Sequence, residues 1–165
     1  MAALKSARRE VAKSQLIVLG HYAPPGLFMI EPDKITAVGP AGDGYWPKVT
    51  PSKETAGRLL AARARSAGSV CPVLIKAAMN LGMQIGPKAE NQAKRLNRRY
   101  RSESDRSGAV IGLQEPILNA AKNEALATVN LSYPGMRAGS GWLYLLRKSD
   151  EGAWAVVDRL FIYVV

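Results

Sequence analysis

The residues whose type and spacing could do chemistry are mostly cations. Lys94, Arg95, Arg98, Arg99 and Arg101 fall in one stretch, Lys88 to Arg106, which also carries Lys88 and Arg106 against Glu90, Glu103 and Asp105. Ala89, Ala93, Leu96 and Tyr100 recur there at helical spacing, which predicts a helix with a narrow buried stripe and its arginines on the exposed arc. The planar fork of arginine can bind phosphate oxygens in pairs, so such an arc suits a nucleic-acid backbone. A solvated face balanced by acidic residues elsewhere in the fold accounts for the same residues. No zinc finger, RNP-type aromatic pattern or GXXG loop accompanies the stretch.

One carboxylate stands out against its surroundings. Asp158 lies in the apolar run Ala153 to Val165 (AWAVVDRLFIYVV), where strict alternation puts it on one side with Trp154, Val156, Leu160 and Ile162. A carboxylate among such neighbours is costly to bury without a partner. It could line a pocket as a general base, pair with Arg147 or Arg159, or sit at a sheet edge. His21 is the only histidine and stands beside the break Pro24-Pro25, away from any residue at metal-ligand spacing. Cys71 is the only cysteine, which rules out an intrachain disulfide; a plain buried thiol is its simpler reading. The residues imply no metal and no cofactor. The loop Gly39 to Pro47 (GPAGDGYWP) has neither a Gly-Lys-Ser/Thr ending nor G-x-G-x-x-G spacing, and Gly139-Ser140-Gly141 lacks the spacing of a nucleophile elbow. Pinning that loop to the core is the expected role of Tyr45-Trp46, ahead of stacking on a ligand.

The elements that would position these residues divide the chain into two parts. Ala109 to Val165 reads as four consecutive strands. Ala109 to Leu118 is the weakest, since Pro116 cannot donate to a ladder. Glu124 to Tyr133 alternates apolar and mostly polar residues, as a half-buried strand does. Trp142 to Lys148 and Ala153 to Val165 are apolar on both sides, which predicts covered strands. The short loops at Pro134-Gly135 and Ser149 to Gly152 imply an antiparallel meander. Upstream, Met1 to Lys13 reads as a frayed or surface helix with solvated basic charges, with an arm for nucleic acid or a membrane surface as the alternative. Gln15 to Leu19 is a strand or a buried helix end, and Leu27 to Ile30 and Ile35 to Val38 are short candidate strands. Ala56, Leu59, Leu60, Ala64 and Ala67 mark a helix opened by Thr50 or Ser52 and closed at Gly68. Pro72 to Met83 is a second, largely buried helix, with Met79 and Met83 as core filler.

At 165 residues and 47% hydrophobic composition, the chain predicts one domain with a real core. Residues 1–13 would form a flexible basic segment. The net charge of +10 favours polyanionic partners, nucleic acid among them. No apolar run is long enough to span a membrane, the basic start lacks the apolar length of a cleavable signal, and the lone thiol fits a reducing compartment; together these predict a cytoplasmic location.

The tail also carries a resemblance. An Ala-rich alternating strand, a Gly turn, an apolar strand ending in Arg147-Lys148, an acidic-Gly turn and then Gly152-Ala153-Trp154-Ala155-Val156 resemble the closing hairpins of NTF2-like α+β proteins. The resemblance covers Leu113 to Val165 and implies a strongly curved sheet wrapped around N-terminal helices, able to enclose a pocket. Some members of that family are small hydrolases or isomerases, and many only bind or dimerise. The candidate strands ahead of the helices depart from its order, and the acidic sets of its enzymes have no counterpart here. The tail is also similar to that of uncharacterised bacterial proteins.

The expected fold is therefore α+β: about three helices packed on a mostly antiparallel, curved sheet whose core is the C-terminal meander. The expected function is a non-catalytic binding or interaction module, with a homodimer through the sheet as one form. The alternatives are a nucleic-acid-binding protein using Lys94, Arg95, Arg98, Arg99 and Arg101, and a pocket enzyme with Asp158 as base.

Overall fold

The computed structural model describes residues 1–11, 14, 16–20, 31–41, 43–62, 72–97, 108–136 and 138–164, with the side chains of 72, 73, 163 and 164 left aside. In chain order its elements are α1 (Ala2–Glu10), β1 (Leu16–Gly20), a short 3-10 helix (Lys34–Thr36), α2 (Lys53–Ala62), α3 (Pro72–Asn80), β2 (Gln84–Ile85), α4 (Pro87–Asn97), β3 (Gly108–Leu113), β4 (Ile117–Leu118), β5 (Glu124–Ser132), β6 (Gly139–Lys148) and β7 (Trp154–Val164). The fold is α+β.

A 7-stranded sheet runs β2-β1-β3-β5-β6-β7, with β4 also on β5. The meander β5-β6-β7 is antiparallel, as its short loops require. The other end is parallel: β1 pairs in parallel with both β2 and β3. Parallel neighbours need a crossover. Helix α4 supplies it, leaving β2, passing over β1 and entering β3 on the far side. The sheet is therefore antiparallel through the C-terminal strands and mixed as a whole.

Helices cover both faces. Ala3, Leu4 and Ala7 of α1 and Ala77 and Ala78 of α3 pack with Ile17, Ile111, Ala127, Val129 and Tyr144 on one face. On the other, α4 sets Ala89 and Ala93 against Leu16, Val18 and Val110, while Ala56 and Leu59 of α2 meet Leu126, Leu143, Leu145 and Leu160. The start of the chain is thus core rather than a frayed surface helix: Leu4 and Ala7 are 1% and 0% exposed. Alanines at its docking positions let the helix approach closely while Lys5 and Arg9 are exposed.

Several local expectations give way for identifiable reasons. Strand β5 is buried on both faces, not half-buried, because it is a central strand under helices on either side. The strand expected from Ala109 to Leu118 is two, β3 and β4, split near Pro116, which has no N–H for the ladder. Ile35 lies in the 3-10 helix instead of a strand; Val38 makes only an isolated bridge to Trp46. Helix α3 stops at Asn80, and Gly82 follows at φ 72, a conformation glycine adopts freely. Met83 is core, but Met79 faces outward at 63% exposure. Helix α2 begins after Ser52, whose hydroxyl accepts the Thr55 N–H at 3.2 Å. The expectations for His21, Leu27 to Ile30, Ala64 to Gly68, Cys71 and Arg98 to Arg106 fall outside the described residues.

The largest correction concerns β7. Its register against β6 shifts between Leu145 and Leu146: Leu145 faces Asp158, and Leu146 faces Val156. Val157 is the extra residue. An added residue inverts the side each later residue takes. Trp154 and Val156 therefore pack with the α1 layer, while Leu160 and Ile162 pack with the α2 layer. Asp158 shares its side with Leu160, not with Trp154 and Val156.

Candidate functional site

The two regions singled out by sequence lie on the same face of the sheet, toward opposite ends. Under β5, β6 and β7 the chain from Lys34 to Ser52 forms a strap. Trp46 anchors it: the indole is 0% exposed and donates from Nε1 to the Ile35 carbonyl at 2.7 Å. Its backbone closes the loop on itself, with Trp46 N donating to Ala37 O and Gly39 N to Trp46 O. Pinning is thus what Trp46 does. Tyr45 lies instead under the Lys34 ammonium, 5.2 Å from the ring centroid.

Downstream of Trp46 the strap has no ladder, and side chains of the sheet satisfy its backbone. Asp158 Oδ2 accepts the N–H groups of Lys48 and Val49, each at 2.8 Å. Its Oδ1 accepts the Arg159 N–H, also at 2.8 Å. Arg147 donates to the Thr50 carbonyl at 3.2 Å and to Glu124 Oε2 at 3.0 Å. Glu124 Oε1 accepts the Ser52 N–H and the Thr55 hydroxyl, both at 2.7 Å. Burial alone would raise the Glu124 pKa, but the Ser52 amide, the Thr55 and Ser52 hydroxyls and Arg147 outweigh it and hold the carboxyl below its ordinary value.

Asp158 therefore pairs with neither arginine proposed for it. Arg147 belongs to Glu124, its cross-strand partner. Arg159 follows Asp158 directly and points to the opposite face, where it pairs with Glu10. Both oxygens of Asp158 are engaged by amides, so taking a substrate's proton there would release the strap. Its arrangement is that of a tether.

The second region is α4. Ala89, Ala93 and Asn97 face the sheet, and Lys88, Lys94 and Arg95 are exposed. Docking is close: a Cβ on Gly108 would stand 2.6 Å from the Ala93 backbone, so only glycine admits the helix at that depth. Asn97, 1% exposed, fixes the end of the helix. Its amide donates to Gly108 O at 2.8 Å and Pro134 O at 3.0 Å, and its Oδ1 accepts Gly108 N at 3.0 Å. Among the described residues, no carboxylate lies within ion-pair distance of Lys88, Lys94 or Arg95. Lys94 and Arg95 also occupy the last turn, where cations complement the helix dipole. The structure thus places Lys94 and Arg95 side by side on the exposed arc; Arg98, Arg99 and Arg101 lie outside the described residues.

No family model, curated protein or solved structure matches this chain. No group of three or more metal-ligating side chains occurs among the described residues, and none of their helices is long and apolar enough to cross a membrane. The residues that sequence reasoning missed are Glu124, Asn97 and Tyr144. Glu124 carried one usable signal: it opens a strand directly opposite Arg147, next to the last residue of the following strand, as a hairpin of this loop length aligns them. Asn97 had a weaker one, a polar residue continuing the Ala89–Ala93 stripe.

Proposed function

We propose that the protein is a non-catalytic binding module whose contact surface is the cationic arc of α4 and whose partners are phosphate-bearing polyanions, nucleic acid foremost. The observation that carries this is the state of the charges. The two buried carboxylates among the described residues, Asp158 and Glu124, are occupied by backbone donors of the strap. The cations of α4 are exposed, with no described carboxylate paired to them. A rigidly docked helix supports this use, because phosphate contacts gain most from donors held in place before binding. Arg98, Arg99 and Arg101 follow in sequence and belong to the same proposed set of cations. The meander β5-β6-β7 is compatible with NTF2-like kinship and with a homodimer through the sheet, and both stand as proposals.

The test is a titration of fluorescently labelled single-stranded RNA and duplex DNA with the full chain at low and near-physiological salt. The module reading expects log affinity to fall linearly with log salt, and expects Arg98→Gln/Arg99→Gln to reduce that slope. Absence of binding at low salt would make α4 a solvated face and overturn the reading.

A further inference from the structure

Beneath α1, on the sheet face opposite α4, one patch gathers three groups that can donate and one carboxylate that accepts. Tyr144 of β6 and Arg159 of β7 are cross-strand partners. Ser6 and Glu10 stand one turn apart on α1 above them. The Tyr144 ring is 0% exposed, and its hydroxyl is buried without a hydrogen-bond partner. Buried hydroxyls are seldom left so. Burial, and to a lesser degree Glu10, push the phenol's pKa up; Ser6 and Arg159 act in the opposite sense from beside it. Arg159 is held from two other sides. Its guanidinium lies over the Trp142 ring at 4.4 Å, and it pairs with the Glu10 carboxylate. Burial works against its charge, but Glu10, and to a lesser degree Tyr144, outweigh that and push its pKa above the ordinary arginine value.

We infer that Arg159, Tyr144 and Ser6 form a binding site for a small oxyanion, for which the Glu10 carboxylate is the internal competitor. Three convergent donors, one of them a guanidinium, are complementary to an anion's oxygens. The pairing with Glu10 demonstrates that Arg159 takes a carboxylate in this place. Glu10 is the last residue of α1, and its side chain is 36% exposed. It can rotate away while Ala3, Leu4 and Ala7 keep the helix seated. A ligand oxygen between Arg159 and Tyr144 would also meet the phenol hydroxyl, which Glu10 leaves unsatisfied. The site is independent of α4, which packs on the other face of the sheet.

Inorganic phosphate titrated into the 15N-labelled full chain tests this, read at the Trp142 indole and Arg159 side-chain N–H resonances, with acetate in parallel to separate phosphoryl from carboxylate ligands. A saturable shift at both resonances is expected. Glu10→Gln should tighten phosphate binding and Tyr144→Phe should weaken it, each by roughly fivefold, the worth of one hydrogen bond or one competitor removed. Shifts confined to α4, or an affinity indifferent to Glu10→Gln, would overturn the assignment. So would a Tyr144→Phe variant that keeps a native amide spectrum and full phosphate affinity. Arg159→Gln risks unseating α1, so the two milder variants decide the matter.

Discussion

The strap end of the sheet and helix α4 lie on one face of one sheet, and they use charge in opposite ways. Under β5–β7, Asp158, Glu124 and Arg147 are turned inward onto the backbone of residues 48–52, doing the work a neighbouring strand would do elsewhere. On α4 the inward side is alanine and Asn97, and the charged residues project outward. A buried N–H or C=O must find a partner, and a strap without a ladder can find one only in side chains. A helix satisfies its own backbone, so its side chains remain available. The difference teaches that a carboxylate among apolar residues on this fold signals an irregular segment crossing above it, whereas exposed cations on a regular element are the ones left for a partner.

The comparison can be broken most forcefully at the strap's anchor. Trp46→Ala removes a fully buried indole and should cost about 3–5 kcal/mol in urea denaturation. A loss under about 1 kcal/mol, the range of surface substitutions, would mean that the strap is not part of the core. Asp158→Ala leaves the Lys48 and Val49 amides without their acceptor and should cost about 1–3 kcal/mol, with faster hydrogen exchange at those two amides. Unchanged exchange there would remove the tether. On the α4 side, Gly108→Ala forces a Cβ against the Ala93 backbone and should destabilise by about 1–3 kcal/mol through overpacking.

A pH series sharpens the contrast. The folded-state pKa of Glu124 lies below its ordinary 4.5, so its contribution is fully present above that value and is lost as pH falls through the folded pKa. Glu124→Gln should lower stability at neutral pH and reduce the steepness of the acid limb. An acid limb identical to that of the unsubstituted chain would show that Glu124 is not a titrating clamp. The smallest effect on stability belongs to Lys94→Gln/Arg95→Gln. With both side chains exposed, that pair should shift the denaturation midpoint by no more than about 0.5 kcal/mol of stability.

Much of this division could be read from the sequence, and the gaps have physical causes. The meander was legible because its strands alternate and its turns carry Pro-Gly, Ser-Asp and late glycine, all local signals. The Ala89–Ala93 stripe placed α4 correctly for the same reason. The parallel pairing of β1 with β2 and β3 was not legible, since β2 has only Gln84 and Ile85 and its partners are distant in sequence. The face of Asp158 was misjudged because a bulge at Val157 leaves no mark in composition: Val156 and Val157 are equally good strand formers. The amides that hold Asp158 lie about a hundred residues upstream and belong to the backbone, which no pattern of side chains records.

The most direct measurement is a matched-charge comparison of polyanion binding. Lys94→Gln/Arg95→Gln removes two exposed cations from α4, and Lys53→Gln/Lys148→Gln removes two exposed cations from the strap end of the molecule. Duplex DNA affinity is then followed against salt for both variants and the unsubstituted chain. If α4 is the contact surface, only the first variant lowers the salt slope, by roughly 0.9 for each phosphate no longer neutralised. Equal losses from both variants would contradict it, because binding would then follow net charge and not the outward-facing helix.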